Sequence, residues 1–359
     1  MKTKRKGLFI SVLLIITILL TCLSGCEKEE KSQNSPGKED DKKIQIGMTF
    51  DSFVIERWQR DRDVFVSMAK ELGAEVNIQN ANGDVAEQKK QIEYFIKKGM
   101  DVIVIVCIDS PSIKANIKKA RDAGIKVIAY DRLISDSEVD LYISFDNRMV
   151  GELMGQALVD SGLRNGEVIM LNGSVNDNNV PMVSEGFTAV MEESDNEIID
   201  TFYADSWKAE LAGDYIYNNM SKVLKCDAIM CGNDDLASRV VTALSEKRLA
   251  GKIMVVGQDA DLEACQRIVE GTQLMTVYKP IEKLAQRAAE CAVKMAKGEE
   301  IEAGDNELTT IDVEGHEIPY LKINPVSVTA ENMDDVIIKS GFHIKEDVYL
   351  NVPSKMPLN

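Results

Sequence analysis

Short apolar runs alternate with longer amphipathic stretches along most of the chain after residue 44, and glycines or charged residues bound many of them. Continuous apolar runs of this kind are typical of strands that are buried on both faces of a parallel sheet. The stretches between them have the length and the terminal glycines of helices. The alternation therefore predicts βαβ units, that is, an α/β fold in which helices cover both faces of parallel sheets.

The alternation comes in two series, which predicts two similar lobes facing one another across a cleft. The first series predicts strands over 44–48, 74–79, 102–106, 127–130 and 141–144, and helices over 56–73, 84–99 and 112–124. The second predicts strands over 168–171, 198–203, 228–231, 253–256 and 274–278, and helices over 149–161, 184–193, 207–220, 236–246 and 281–297. From residue 301 the pattern is irregular, with β-like pieces only at 327–329 and 335–338.

Polar side chains follow several of the predicted strands. The run 127–130 ends in Asp131 and Arg132, and ligands of open α/β sheets bind just beyond such strand ends. A carboxylate accepts hydrogen bonds and a guanidinium donates them, so this pair can bracket a neutral polyol; an ion pair at the surface is the alternative. The other polar residues near strand ends or at the first helix are Arg57, Asp177, Asn179, Asn233, Asp259 and Lys279.

The chain has two tryptophans, and each lies in a different series. Trp58 follows Arg57, and Trp207 lies at the start of a predicted helix in the second series. An aromatic face packs on the apolar C–H face of a pyranose while polar groups bind its rim. One tryptophan from each half would thus sandwich a flat ring, with packing in the core as the alternative for each.

Catalytic chemistry has little support. The two histidines, His316 and His343, both lie in the irregular C-terminal part, so a histidine triad or a metal site is not expected. No phosphate-binding glycine motif is present either, and no cofactor is expected. Asp131 and Asp259 could in principle serve a glycosidase, but an amide or cation beside each suits hydrogen bonding. The sequence therefore predicts no catalytic residue and no enzyme.

The N-terminus has the pattern of an export signal. A basic start is followed by an apolar stretch over 8–20 and then by Leu-Ser-Gly-Cys at 23–26, which resembles a bacterial lipoprotein signal. The alternative, a membrane-spanning anchor, needs about 20 apolar residues. We expect a signal peptide over 1–25, lipidation at Cys26 and a flexible polar tether over 26–43.

Charge and cysteine content narrow the function further. The formal net charge of −17 argues against a nucleic-acid partner. None of the cysteines beyond Cys26 forms a Cys-x-x-Cys pair, and most lie in apolar runs. Buried free thiols are therefore expected rather than disulfides or a metal site, at Cys107, Cys226, Cys231, Cys265 and Cys291.

Several motifs together carry a resemblance to a known family. They are Glu-Arg-Trp-Gln-Arg-Asp-Arg-Asp at 56–63, Ala-Asn-Gly at 81–83, Ala-Tyr-Asp-Arg at 129–132, Tyr-Ile-Ser-Phe-Asp-Asn at 142–147, Gly-Gln-Asp-Ala-Asp at 257–261 and Gly-Thr-Gln through Tyr-Lys-Pro at 271–280. With them the chain resembles the sugar-binding periplasmic-binding-protein family of bacterial ABC transporters, which includes ribose and galactose binders. The first and last motifs resemble the D-xylose binders in particular, and the likeness runs from about residue 44 to 343.

The resemblance implies a fold and a set of ligand-binding residues. It implies two Rossmann-like lobes joined by three crossovers, near Asn147, Lys279 and Asn324, with the first lobe over 44–147 and 280–324 and the second over 148–279 and 325–359. The ligand-binding residues that it implies are Arg57, Trp58, Asp131, Arg132, Asp177, Asn179, Trp207, Asn233, Asp259 and Lys279, with the tryptophans stacking on the sugar. One departure is Asn-Gly-Ser-Val-Asn at 172–176, where Gly-Gly-Ser-Pro-Val is expected.

The function that follows is binding by closure of two lobes. We expect a monomeric lipoprotein on the outer face of the cell membrane that binds a monosaccharide, D-xylose first, and delivers it to the permease of an ABC importer. The alternative is a sensor subunit that presents the closed form to a membrane histidine kinase. The sequence leaves open whether another pentose or glucose competes with xylose.

Overall fold

The computed structural model describes residues 43–54, 57–135 and 137–357. The predicted signal peptide, the lipidation site Cys26 and nearly all of the predicted tether lie outside this range, as does residue 56, the predicted start of the first helix. Within the described range, none of the helices has both the length and the apolar character needed to span a membrane.

The described residues form two sheets and the helices that flank them. The strands are β1 (Gln45–Phe50), β2 (Glu75–Asn80), β3 (Val102–Ile105), β4 (Lys126–Tyr130), β5 (Leu141–Phe145), β6 (Glu167–Asn172), β7 (Glu197–Tyr203), β8 (Ala228–Cys231), β9 (Met254–Gln258), β10 (Met275–Tyr278), β11 (Glu307–Val313), β12 (His316–Ile323) and β13 (Val326–Thr329).

The α-helices lie mainly between the strands. They are α1 (Arg57–Glu71), α2 (Val85–Lys98), α3 (Ser110–Asp122), α4 (Asn147–Asp160), α5 (Asn179–Glu193), α6 (Ala209–Asn218), α7 (Met220–Val223), α8 (Asp234–Glu246), α9 (Leu262–Glu270), α10 (Ile281–Lys297) and α11 (Lys345–Val348). Several begin with an acidic or amide side chain that caps the first turn, as Asp84 caps α2 and Asn233 caps α8.

Both sheets are mostly parallel. The first has the order β11-β12-β5-β4-β3-β1-β2, and the second has the order β13-β10-β9-β8-β6-β7. Only the pairs β11–β12 and β10–β13 are antiparallel. All residues of β3 and β8 are buried, because helices cover both faces of the sheets. The predicted α/β class with two lobes of parallel strands is confirmed.

The chain passes between the sheets three times. It leaves the first sheet after β5 through α4, returns after β10 through α10, and crosses again between β12 and β13. Only Asn324 and Pro325 separate those last two strands. The carboxyl ends of the central parallel strands are thereby brought to one region, which is where an open α/β sheet places its ligand.

The C-terminal part is more ordered than the sequence pattern predicts. The irregular stretch after residue 301 forms the hairpin β11–β12, which extends the first sheet at its edge. Most of β11 faces solvent, so its apolar signal is weak. The β-like piece at 335–338 belongs instead to a π-helical turn, Asp334–Ile338, so that interpretation was wrong.

Two helix assignments also change. The predicted helix over 207–220 begins only at Ala209, because Ser206 and Trp207 have φ values of 55° and 57°, which a right-handed helix does not allow. The predicted helix over 184–193 begins earlier, at Asn179. Pro181 lies in its first turn, where a proline is tolerated since that nitrogen needs no partner. The pattern does not predict α9.

Candidate functional site

One cavity lies at the carboxyl ends of the central strands of both sheets. Its empty volume, including solvent at its mouth, is about 520 Å³. All ten residues predicted to bind a ligand line it: Arg57, Trp58, Asp131, Arg132, Asp177, Asn179, Trp207, Asn233, Asp259 and Lys279. The fold thus brings together residues that are up to 222 positions apart between Arg57 and Lys279.

The cavity has two walls, each carried by one sheet. The first wall consists of Arg57 and Trp58 at the start of α1, and of Asp131 and Arg132 directly after β4. The second wall consists of residues that end or follow strands of the second sheet: Asn172, Gly173, Asp177, Trp207, Asn233, Gln258 and Asp259. Lys279 follows β10, where the chain leaves the second sheet.

Arg57 is held by two buried carboxylates. Its Nη2 donates to Asp61 Oδ1 at 3.1 Å and to Asp131 Oδ2 at 2.9 Å, and its Nε donates to Asp61 Oδ2 at 3.3 Å. The Tyr130 hydroxyl donates to Asp61 from behind. Burial alone would lower the pKa of Arg57, but Asp131, Asp61 and Asp259 raise it, so the guanidinium stays charged. Arg57 is thereby fixed before any ligand arrives.

Arg132 is fixed in a similar way. Its Nη1 donates to Asp51 Oδ2 at 2.7 Å and to the carbonyl of Cys107 at 3.1 Å. Its Nε lies 2.9 Å from Asp177 Oδ2, which belongs to the second wall. Burial raises the pKa of Asp177, although Arg132 opposes that shift. This ion pair therefore joins the two walls directly.

Asp131 adopts an uncommon backbone conformation that its surroundings enforce. Its φ is 62°, and its carbonyl accepts from Ser144 Oγ at 2.6 Å and from Asn179 Nδ2 at 2.7 Å. Such strain persists only where neighbouring groups over-determine it. Burial would raise the pKa of the Asp131 carboxyl, but Arg57, Lys279 and Arg132 outweigh burial and lower it. An ionised acceptor therefore faces the cavity.

Trp207 lies flat against backbone that only glycine permits. A Cβ on Gly173 would lie 2.2 Å from Cη2 and Cζ2 of the indole, and one on Gly232 would lie 3.3 Å from its Cζ3 and 2.8 Å from the nitrogen of Gly173. Both glycines are therefore needed for the ring to sit at the cavity. The indole Nε1 is buried and has no hydrogen-bond partner within the described part of the chain.

Trp58 belongs to the core and to the site at once. Its side chain is 2% exposed and packs near Phe50, yet it lines the cavity. The guanidinium of Arg57 lies 4.4 Å from its ring centroid, within the range of a cation–π contact. Among the residues that the structure describes, its Nε1 also has no partner. The two alternatives for this tryptophan are thus not exclusive.

Asp259 and Lys279 form an ion pair at the side where the walls meet. Lys279 Nζ lies 2.6 Å from Asp259 Oδ1, although the angles are not those of a hydrogen bond, and Arg57 Nη1 lies 4.0 Å from the same oxygen. Asp259 has a φ of 106° and the next residue, Ala260, has a φ of 55°. Two adjacent non-glycine residues with positive φ mark a strained turn.

The two asparagines of the predicted set also have structural partners. Asn179 Oδ1 accepts from the backbone of Leu133 at 3.3 Å and from the Tyr142 hydroxyl at 3.0 Å, and its Nδ2 donates to Asp131. Asn233 Oδ1 accepts from the backbone of Leu236 and so caps α8. The amide oxygen and nitrogen of Asn179 are thus both hydrogen-bonded to residues on the side of the first sheet. Asn179 also lines the cavity.

Sequence reasoning misses the residues that position the site. Asp61 and Asp51 carry no role in it, although Asp61 lies four positions after Arg57 on α1 and Asp51 directly follows β1. Helical i,i+4 spacing and the strand-end rule could each have indicated one of them. The lining residues Asn147, Asn172 and Gln258 lie in stretches that the sequence comparison quoted, and each ends a strand or begins a helix, but none was assigned to ligand binding.

Neither histidine nor cysteine builds a second site. His316 Nδ1 lies 3.1 Å from Glu138 at the surface, and His343 Nε2 lies 2.7 Å from the carbonyl of Ala260. The structure holds no cluster of potential metal ligands within its described ranges. The five cysteines beyond Cys26 are buried and free of disulfides, as predicted, at Cys107, Cys226, Cys231, Cys265 and Cys291.

Comparison with known proteins gives one consistent family. Residues 46–300 match a family model described as a periplasmic binding protein domain. The chain is 40% identical over 316 residues to the D-xylose-binding periplasmic protein of Haemophilus influenzae, covering 86% of this chain and 93% of that protein. It is also 40% identical over 321 residues to the protein of the same name from Escherichia coli, with the same shares covered.

Solved structures agree with these matches. A solute-binding protein of an ABC transporter from Clostridium phytofermentans, with bound β-D-glucose, superposes with a TM-score of 0.75 at 27% identity, covering 85% of this chain and 99% of that one. A carbohydrate-transporter solute-binding protein from Chloroflexus aurantiacus, in complex with D-glucose, gives a TM-score of 0.76 at 26% identity, covering 84% and 98%.

Proposed function

This chain belongs to the periplasmic binding protein family, and we propose that it is an extracytoplasmic receptor that binds D-xylose and delivers it to an ABC importer. The relatives named above are solute-binding proteins, so the chain is a binding protein and not an enzyme. Its resemblance to the sugar-binding branch of the family is thereby confirmed.

The observation that carries the proposal is the balance of charge around the cavity. Three cations line it, Arg57, Arg132 and Lys279, together with three carboxylates, Asp131, Asp177 and Asp259. Because these charges pair with one another, a charged ligand would leave one of them uncompensated in a buried site. A neutral polyol instead offers hydroxyl donors to the carboxylates and hydroxyl acceptors to the cations.

The uncharged groups of the site favour a ring-shaped polyol. Trp58 and Trp207 come from opposite walls, and each has a buried indole N–H without a partner among the described residues. Aromatic faces pack on the apolar face of a sugar ring. Asn172 Nδ2 and Gln258 Oε1 are also buried and have no hydrogen-bond partner among the described residues. Ligand hydroxyls would satisfy these groups, whose burial is otherwise unfavourable.

D-xylose is proposed over glucose on the strength of the relatives. The two D-xylose-binding proteins are 40% identical to this chain, whereas the two glucose-bound structures are 26–27% identical. D-Glucose carries a hydroxymethyl group at C5 that D-xylose lacks, so the shape of the cavity determines which of the two sugars fits. A sensor subunit for a membrane kinase, the alternative, has no support among these relatives.

We further propose that the ligand acts by closing the two lobes and that the protein works as a monomer tethered through lipidated Cys26. Groups of both sheets already meet across the cavity, as in the pair Arg132–Asp177 and the bond from Asn179 to Asp131. A sugar bound to both walls would add to these contacts and shift the hinge equilibrium. The permease would then recognise the closed form.

A titration of the purified full chain tests the sugar assignment. We expect one-to-one binding of D-xylose by calorimetry, tighter than that of D-ribose, D-glucose or L-arabinose, with a change in tryptophan fluorescence. Asp131→Ala should weaken binding by at least about tenfold, because it removes a charged acceptor worth roughly 1.5–3 kcal/mol. Trp58→Ala should weaken it comparably.

The control is Asp122→Ala, which removes an exposed carboxylate that pairs with Lys118 on α3, far from the cavity in the fold. Its affinity should equal that of the wild type. If another sugar binds more tightly than D-xylose, the site assignment stands and the proposed ligand is wrong. Failure to bind any of the four sugars would contradict the proposal.

A further inference from the structure

The turn that presents Asp259 to the cavity is strained and must be held in place. Asp259 and Ala260 both have positive φ values, 106° and 55°, although neither is glycine. Such a turn would relax if its partners were removed, and the Asp259 carboxylate would move with it. The groups that hold the turn therefore bear on the geometry of the site.

Three consecutive backbone nitrogens of this turn donate hydrogen bonds to the second half of the molecule. The nitrogen of Asp259 donates to Val277 O at 2.9 Å, that of Ala260 to Thr276 Oγ1 at 3.1 Å, and that of Asp261 to Asp234 Oδ2 at 3.2 Å. All three partners belong to the sheet or to the helix that follows β8. They fix the nitrogens of the turn and leave the carbonyl of Ala260 pointing elsewhere.

That carbonyl is bound from the C-terminal segment. His343 Nε2 lies 2.7 Å from Ala260 O, across 83 positions of sequence. The thiol of Cys265 on α9 also donates to this oxygen, at 3.6 Å, but a thiol is a weak donor, so His343 makes the stronger bond. Since a carbonyl only accepts, the imidazole nitrogen must carry the hydrogen. His343 is not among the residues that line the cavity. It touches the turn from the other side, where it lines a neighbouring pocket together with Arg57 and Asp259.

The C-terminal segment is itself anchored to α1 and to β10. The ring of Phe342 is 8% exposed and stacks edge-on against Tyr278, and the Arg60 guanidinium lies 4.3 Å from its centroid. Arg60 Nη1 also donates to Phe342 O at 3.2 Å. Arg60 lies on α1, one helical turn after Arg57. The segment thus links the helix that carries Arg57 to the turn that carries Asp259.

We propose that His343 is a positioning residue for the Asp259 carboxylate and thereby sets the affinity of the sugar site. This inference rests on the proposed function, because it concerns the same cavity. The His343 bond fixes the carbonyl of the strained turn and so fixes where Asp259 stands relative to Arg57 and Lys279. The C-terminal segment, whose sequence pattern indicates no role, thereby contributes to ligand binding.

Two substitutions of matched shape test the inference. His343→Gln keeps an N–H donor near the position of Nε2, whereas His343→Met has nearly the same length and volume and no donor. For the full chain we expect His343→Met to weaken D-xylose binding by about five- to tenfold, the effect of one lost hydrogen bond, and His343→Gln to stay within about twofold of the wild type. Both should fold cooperatively, with His343→Met melting at a slightly lower temperature than His343→Gln because it lacks that hydrogen bond.

Equal affinities for the Gln and Met variants would overturn the inference, because packing alone would then explain the effect of His343. A second readout separates this result from a failure of the proposed function. A crystal structure of ligand-free His343→Met should show the 259–261 turn displaced and a longer distance from Lys279 Nζ to Asp259. An unchanged turn would overturn the inference whatever sugar the wild type binds.

Discussion

The charged side chains of the first wall have buried partners of opposite charge, whereas several uncharged polar atoms of the second wall have no partner in the described part of the chain. Arg57 contacts two carboxylates, and Arg132 contacts Asp51 and Asp177. On the second wall, Asn172 Nδ2, Gln258 Oε1 and Trp207 Nε1 are buried and unpartnered. Trp58 Nε1 is the exception on the first wall.

The difference separates two tasks of a binding site. The first wall is pre-organised by ion pairs, so it loses little freedom when a ligand binds. The second wall keeps hydrogen-bonding groups that water or a ligand must satisfy. We infer that substitutions on the first wall lower both stability and affinity, while those on the second wall lower affinity with little effect on stability.

The largest effect is expected for Arg57→Met. This change leaves Asp61 and Asp131 buried without their cation, and breaking a buried ion pair typically costs about 3–5 kcal/mol. The free energy of unfolding, measured by urea denaturation, should fall by that amount, and D-xylose binding should be lost. Arg62→Met on the same helix is the control, since Arg62 pairs with an exposed carboxylate of Asp63. Similar free energies of unfolding for Arg57→Met and Arg62→Met would contradict the proposed difference between the two walls.

A smaller and different effect is expected for Gly173→Ala on the second wall. The new Cβ would meet the ring of Trp207 at 2.2 Å, so the indole must move. We expect about five- to tenfold weaker D-xylose binding, the equivalent of a misplaced aromatic contact of roughly 1–1.5 kcal/mol, and a changed fluorescence spectrum. The free energy of unfolding should fall by less than it does in Arg57→Met.

Gly213→Ala is the matched control for this variant. Gly213 lies in α6 of the same half, and the nearest atom to its new Cβ would be 3.4 Å away, which is ordinary contact. This alanine should leave affinity unchanged and should stabilise the helix by about 0.5–1 kcal/mol. If both glycine variants bind alike, the close approach of Trp207 to Gly173 has no role in binding.

The last prediction concerns the pH dependence of stability, for which two buried acids should act in opposite directions. The pKa of Asp131 is lowered, as described above, whereas burial raises the pKa of Asp234 to about 7 against the attraction of Arg267. A lowered pKa contributes stability that is lost as pH falls, because the unfolded state binds the proton first. A raised pKa in an acid contributes stability that is lost as pH rises, here between about pH 4 and pH 7.

Thermal melting from pH 3 to pH 8 tests this pair through the difference between wild type and variant. For Asp131→Asn the advantage of the wild type should shrink toward low pH, and for Asp234→Asn it should shrink toward high pH. Asp122→Asn, which removes an exposed carboxylate on α3, is the control for the substitution itself. If the difference between wild type and variant shrinks in the same direction of pH for both acids, the pKa values of Asp131 and Asp234 are not shifted in opposite directions.

The sequence by itself determined the fold class and ten of the residues that line the cavity. Alternation of apolar runs with amphipathic stretches is a local pattern, and parallel strands bring their carboxyl ends together, so Asp131 and Asp259 could be placed at the site without coordinates. The motif at 56–63 likewise placed Arg57 and Trp58 at the site. These predictions needed only what lies next to each residue in the chain.

Only the tertiary structure decided which groups hold those residues in place. Arg57 meets Asp131 over 74 positions, Arg132 meets Asp51 over 81, and His343 meets Ala260 over 83. Such pairs depend on the order of strands in the sheet and on where the C-terminal segment returns, and no local periodicity records either. The sequence pattern did not predict the edge hairpin β11–β12, because its exposed strand carries little apolar signal.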